Sequence, residues 1–304
     1  MFETFKNRLE LTGKLTTITA LRISAGRSTE PIGSDLPVIK DALGRPFIPG
    51  SSFKGALRSR LESFLRGILG NNPKLVGNPS INDEWSLTSK ELADFKMKKL
   101  QNMNSLEKEN KLHDYIIKNT DLISSLFGSP WIASKFQVRD LTVDTNTWFD
   151  QYQERDGVAI DRDTETASEG KLYDYQVVPG GTDFDFKAVV ENAEDWELGL
   201  LMIGLHQFET EQIPLGGGRS RGLGVVRLEI DKMRWVDVNK NPDDVKKNSE
   251  FLLEYLQKII RNDNTAYEDA SDYKDEWVGK LIEHLNTKIS QRTDAENAVE
   301  QNRD

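Results

Sequence analysis

The 304-residue sequence predicts an α+β fold, because hydrophobic periods of 2 and 3.6 residues alternate along its first three quarters. Leu9, Leu11, Leu15, Thr17, Thr19, Leu21 and Ile23 alternate with mostly polar neighbours, the pattern of a half-buried strand. Directly after Pro49 and Gly50, Phe53, Leu57, Leu61, Phe64 and Leu65 recur at helical spacing. A second run of strand, helix, glycine loop and strand lies between Asp183 and Ile230.

Each element has a local reason. The first strand breaks at the stretch 26–33. Ser51 or Ser52 is placed to cap a helix over 52–69, which Gly70 and the turn-rich Asn71, Asn72 and Pro73 close. Residues 71–130 are mostly polar and read as a helical insertion, in which Thr88 and Glu91 form a capping box for a helix reaching Gln101. Strand character returns over 136–143. The segment 144–180 contains a polar, turn-like tract, 157–170, with a small apolar tip at Val158 and Ile160. Phe184, Phe186, Ala188 and Val190 mark the next strand, and Trp196, Leu200, Leu201, Ile203, Leu205 and Phe208 an apolar helix over 193–208. The last strand covers 225–230. The order strand, helix, strand, strand, helix, strand is that of a ferredoxin-like (RRM-like) βαββαβ sheet over 1–235, with its helices on one face.

Beyond it, residues 236–304 form an acidic helical extension. Phe251, Leu252, Tyr255, Leu256, Ile259 and Ile260 make one amphipathic helix, and Trp277, Leu281 and Leu285 a second. The two either cap the sheet or meet a neighbouring subunit, and the charged run 294–304 is expected to be disordered.

Composition narrows the function. There is no cysteine, hence no disulfide framework or thiolate metal site. No apolar run approaches the length of a membrane span, and the first residues lack a secretory pattern, so a cytoplasmic, non-membrane protein is expected. The net charge of −10 alone argues against a nucleic-acid binder. That charge is segregated, however: residues 1–66 hold eleven Lys or Arg against six Asp or Glu, and 236–304 hold ten against sixteen. One surface is thus suited to a polyanion. His113, His206 and His284 are scattered, none at ligand spacing from another, and are read as structural.

Three features carry chemistry. The helix start at Ser51 and Ser52, with Lys54 and Arg58 one turn apart, is shaped to receive an anion such as a phosphate. Upstream, Asp35 is a loop carboxylate able to act as a general base, to help hold a hard divalent cation, or merely to cap a turn. Asp41 is read as the cap of the turn at Ala42 to Arg45. Downstream, Gly216, Gly217, Gly218, Arg219, Ser220 and Arg221 form a glycine loop whose amides and guanidinium groups suit a phosphate. Because this loop follows a helix and opens a strand, it is not a dinucleotide fingerprint. A solvated connection between two elements is the alternative.

Two of these segments, Asp35-Leu-Pro-Val-Ile-Lys-Asp41 with the Pro-Gly-Ser-Ser-Phe-Lys-Gly helix start at Pro49, and Leu215-Gly-Gly-Gly-Arg-Ser-Arg-Gly-Leu-Gly224, resemble the marks of the RAMP superfamily, the repeat-associated proteins that form the backbone of type III CRISPR effector complexes. The resemblance covers about residues 5–235, without 71–120 or the tail. It implies a subunit that binds CRISPR guide RNA, meets target RNA, other type III subunits and related RAMP proteins, and acts as an endoribonuclease. On that resemblance Asp35 is the cleavage residue, working with a divalent cation such as Mg²⁺. Arg22, Ser51, Ser52, Lys54, Arg58 and the glycine loop hold guide phosphates. Segment 144–180 becomes a thumb hairpin that wedges into the guide–target duplex through Val158, Ile160 and Arg162. Two alternatives follow from the same family, a structural subunit that does not cut and a guide-processing endonuclease. Arg22, standing where some family members carry a histidine, speaks against the latter.

Overall fold

Strand β1 (Asn7–Thr17) buries Leu9, Leu11, Leu15 and Thr17, the residues its alternation singles out. It stops short of the strand predicted to Ile23. The amides of Ile18 and Thr19 both turn to the Val225 carbonyl, at 2.9 and 3.1 Å, and only isolated bridges at Leu21 and Ser24 continue the pairing. The computed structural model describes residues 4–24, 26, 34–101, 103–157, 173–240 and 244–301, with side chains as far as Gln291. After β1 come β2 (Phe47–Ile48), α1 (Gly50–Leu69), α2 (Ser89–Lys99), α3 (Ser105–Lys118), α4 (Leu122–Phe127), β3 (Phe136–Val138), β4 (Leu141–Thr142), β5 (Gln153–Gly157), β6 (Tyr173–Val177) and β7 (Asp183–Glu191). Then follow α5 (Asp195–Glu209), β8 (Val226–Asp237), α6 (Val245–Ile260), β9 (Glu268–Asp269) and α7 (Lys274–Gln301).

The result is a mixed α/β fold with a five-stranded sheet in the order β3-β7-β1-β8-β9, every pair antiparallel. Register places Thr16 opposite Asp183 and Thr17 opposite Val226. The end of β1 and the starts of β7 and β8 therefore share one end of the sheet. Among the described residues, no helix is long and apolar enough to cross a membrane.

Phe53 of α1 stacks on Phe208 of α5 at 4.3 Å and lies 5.1 Å from Phe186 of β7, tying two helices to the sheet. The C-terminal extension packs into this same core through Trp277, Leu281 and Leu285. A Cβ on Gly199 would stand 2.1 Å from the Trp277 carbonyl oxygen, so α7 approaches α5 where α5 has no side chain. Helix α7 runs to Gln301, past the point at which the charge pattern predicts loss of order. In the insertion, Thr88 and Glu91 form the predicted capping box of α2. The end of the insertion is core, though: Leu122, Ile123, Leu126 and Phe127 are buried, and Asp121 caps α4 by accepting the Ile123 and Ser124 amides.

Helix α1 departs from the sequence reading at its start. It begins at Gly50 with Pro49 as N-cap and no side-chain cap, so Ser51 and Ser52 lie inside the first turn. The Gly50 amide donates to Asp140 Oδ1 at 2.8 Å, and a Cβ there would lie 2.5 Å from the Val138 carbonyl oxygen. The Pro-Gly step thus lets the helix start abut β3, while a carboxylate takes its first free amide. Lys54 turns inward, donating to Ser134 Oγ at 2.6 Å and the Phe136 carbonyl at 3.0 Å. Arg58 donates to Glu62, the Gly128 carbonyl and Ser124 Oγ. Both cations expected to front the helix start are instead bonds between α1 and the 124–136 segment, because that segment presents carbonyls and hydroxyls that burial would otherwise leave unpaired.

Two outcomes follow. Glu197, 1% exposed, accepts from buried Lys135 and from the Glu194 amide. Glu197→Ala should cost about 3–5 kcal/mol by stranding the ammonium, read as a lower urea midpoint at unchanged slope. Burial, and secondarily the Arg58 charge, lowers Lys54 from its ordinary 10.5 to about 8. The unfolded chain then binds more protons at this site between pH 8 and 10.5, so stability should rise with pH there relative to Lys54→Met. The neutral amine retains two N–H donors, enough for both bonds. Urea midpoints of the two proteins at pH 7, 8.5 and 10 check the sign.

Candidate nucleic-acid interface

At the shared sheet end, Thr17 holds the return of segment 144–180. Its amide donates to the Thr182 carbonyl at 2.9 Å, its hydroxyl donates to the Pro179 carbonyl at 2.8 Å, and that hydroxyl accepts from the Thr182 amide at 2.9 Å. From there three loops converge. The Arg22 carbonyl accepts the Gly217 amide at 2.8 Å, and a Cβ on Gly216, whose φ is 73°, would fall 2.1 Å from that oxygen. The Ala20 carbonyl accepts the Gly224 amide at 2.9 Å. The glycine loop is therefore clamped to the chain leaving β1, and glycine is required where the backbones touch.

The outer part of this loop is a single 3₁₀ turn, Arg219–Arg221, flanked by left-handed Gly218 and Gly222. Arg219, Ser220 and Arg221 are exposed. Arg219 Nε donates to its own loop at the Gly216 carbonyl, and Arg221 donates to the Tyr173 hydroxyl at 2.9 Å. Tyr173 begins β6, the strand that leaves the 158–172 tract. Val158, Ile160 and Arg162 lie outside the described residues, and the antiparallel pair of β5 with β6 forms the base of that tract.

The Asp35 loop runs beside that base. Leu36 bridges Tyr175 in parallel, the Gln176 amide donates to the Leu36 carbonyl at 3.1 Å, and the Ile39 amide donates to the Ile23 carbonyl at 2.9 Å. The Asp35 amide donates to Asp174 Oδ1 at 2.8 Å, and the Asp174 amide reaches Asp35 Oδ2 at 3.4 Å. Arg22 closes the group, its guanidinium carbon 4.9 Å from the Tyr175 ring centroid and its Nε buried with no hydrogen-bond partner among the described residues. Ala20, Leu36, Tyr173, Tyr175, Val177 and Leu223 form a small apolar cluster of their own beneath these loops. Asp41 accepts the Leu43 and Arg45 amides and the Arg45 side chain, so it caps its turn as expected. Those bonds, that of the Arg45 amide first, hold its carboxyl below the usual range.

The structure thus brings together Arg22, Asp35, Gly216 to Arg221 and the β5–β6 pair, and leaves Lys54 and Arg58 bonded within the fold. It also adds three residues that the sequence reading passed over, Tyr173, Asp174 and Tyr175. The alternation of Tyr173, Tyr175 and Val177 was their available signal. Chemically the site offers two exposed guanidinium groups for phosphates and the oxygens of Asp35 and Asp174 for a proton or a hard cation. Among the described residues no cluster of three or more His, Cys, Asp or Glu is placed to hold a metal ion. Two carboxylates match the sparse protein ligation of Mg²⁺, whose remaining ligands are water and substrate phosphate.

The chain is 28% identical over 230 residues to the CRISPR system Cms endoribonuclease Csm3 of Enterococcus italicus, covering 75% of this chain and 92% of that protein. To the Csm3 of Streptococcus thermophilus it is 28% identical over 247 residues, 81% of this chain and 96% of that protein. A shorter match, 47% over 57 residues, links it to the Csm3 of Mycobacterium tuberculosis, covering 18% of this chain and 24% of that protein. The RAMP superfamily pattern matches residues 14–227, from the middle of β1 to the start of β8 and so across all three converging loops; the chain belongs to the RAMP superfamily.

Proposed function

We propose that this protein is a backbone subunit of a type III CRISPR ribonucleoprotein that binds guide RNA and cuts complementary target RNA. The observation that carries this reading is the convergence of the glycine loop, the Asp35 loop and the thumb base on one small apolar cluster at one end of the sheet. The strand order β8-β1-β7-β3, with α1 and α5 as crossovers, supports a ferredoxin-like core. The Csm3 proteins it resembles are named endoribonucleases.

In this reading Arg219, Arg221, Arg22 and the loop amides hold guide phosphates without reading bases. Related RAMP subunits continue the grip along the guide, and the thumb interrupts the guide–target duplex, splaying one target nucleotide. Its 2′-oxygen attacks the adjacent phosphorus, the bond to the 5′-oxygen breaks, and the products are a 2′,3′-cyclic phosphate and a 5′-hydroxyl. Asp35 accepts the proton of the 2′-hydroxyl, the departing 5′-oxygen takes a proton from water, and Asp174 fixes the Asp35 backbone beside the thumb. Asp35 and Asp174 would hold a Mg²⁺ ion, which supplies charge neutralisation at the phosphate.

Asp35→Ala should lower target cleavage by about 10²–10⁴-fold while guide and target binding stay nearly intact. Cut-site ladders from wild-type and variant complexes, in Mg²⁺ and in EDTA, measure this. Identical ladders in Mg²⁺ would remove Asp35 from catalysis, and no cutting by either complex would make this a structural subunit. Replacing Arg219 and Arg221 by Ala should weaken guide binding equally for unrelated spacers and reduce the salt slope by ~0.7 for each phosphate that is no longer neutralised. Unchanged affinity would exclude the glycine loop from the guide path.

A further inference from the structure

We propose that the cleft between the end of α3, the start of α5 and the middle of α7 is a second ligand site, one that takes a nucleoside phosphate. Its volume is about 330 Å³, and it shares no lining residue with the glycine loop, the Asp35 loop or the thumb base. That size suits a single small ligand held between helices.

Three observations identify the ligand chemistry. Lys6, Lys118 and Lys288 come from three separate parts of the chain to line the cleft, and among the described residues none of them forms an ion pair. Two of the three carboxylates that line the cleft with them are committed elsewhere, and the third, Glu194, is exposed. Glu197 is bonded to Lys135, and Asp121 caps α4. Counted with Lys135, the lining holds four ammonium groups against the three carboxylates Asp121, Glu194 and Glu197, a net positive charge that favours an anion. Second, Trp196 and His284 stack face to face at 4.4 Å with rings 9° apart, forming a flat aromatic platform on the same wall. A phosphate has no use for such a platform, whereas a nucleobase stacks on one. Third, His284 lines the cleft, and its Nε2 is buried with no hydrogen-bond partner among the described residues, a cost that a ligand hydroxyl or ring nitrogen would remove if the ring turned toward it. Burial, and secondarily the Lys288 charge, lowers the His284 pKa, so the ring is neutral near pH 7 and can donate or accept at that atom according to its tautomer.

The cleft also draws on both parts of the chain that the sequence resemblance leaves out. The insertion supplies Lys118 and the extension supplies His284 and Lys288. Bound there, a nucleoside phosphate would tie α3 to α7 across α5.

Isothermal titration of the full chain with AMP, ATP, UMP, adenosine and inorganic phosphate tests the site, with Lys118→Glu/Lys288→Glu as the variant. Lys118 is exposed and neither lysine makes an ion pair, so the fold should survive, as checked by an unchanged thermal midpoint. Saturable one-to-one binding of at least one nucleotide is expected, tighter than adenosine or phosphate alone, and weakened on the order of tenfold or more in the variant. Guide RNA affinity should be unchanged, which separates this site from the glycine loop. Absence of saturable nucleotide binding at millimolar concentration, or equal binding by the variant, overturns the proposal. If the variant instead loses affinity for guide RNA and no mononucleotide binds, the cleft is part of an RNA path and the nucleotide site is refuted.

Discussion

Antiparallel pairing of β1 on both of its edges is the constraint from which the working end of this protein follows. A strand paired antiparallel to two neighbours ends where both neighbours begin, and here the residues just before β7 and β8 are the return of segment 144–180 and the glycine loop. Thr17, the last residue of β1, seals the arrangement with a buried backbone and side-chain bond set to Thr182 and Pro179. Loops far apart in sequence are thereby delivered to one place by backbone pairing together with the Thr17 hydroxyl.

The helical layer stabilises that sheet without entering the site. Phe53, Phe186 and Phe208 link α1, β7 and α5 in one aromatic contact, and α7 closes on the other side of α5, where Trp277 meets Trp235 at 5.4 Å. Lys54 and Arg58 belong to this layer. Their charges, which in sequence resemble a phosphate clamp, are used to satisfy carbonyl and hydroxyl groups of the segment that leads into β3. A half-buried cation bonded in this way positions the chain around it.

The small apolar cluster of Tyr175, Val177, Leu223 and Ala20 has the opposite relation to function. It is separate from the main core and lies directly under the arginines and the Asp35–Asp174 pair. A rigid apolar base with charged groups at its rim lets electrostatic contacts form without a large ordering cost.

Much of this was legible in the chain itself. The alternation of Leu9, Leu11 and Leu15, the helical spacing from Phe53 to Leu65, the Thr88–Glu91 box and the glycine loop are local signals, since period, caps and turn residues act over a few positions. Asp35, Arg22 and the glycine loop were identifiable as a set only through their resemblance to a family. Only tertiary structure decided the rest. That Asp140 caps α1, that Lys54 and Arg58 point inward, that β1 ends at Thr17, and that Asp174 and Tyr173 complete the site all depend on partners tens to more than a hundred residues away. A side chain's local pattern states what it can bond. Which partner burial forces upon it is settled by the packing of the whole chain.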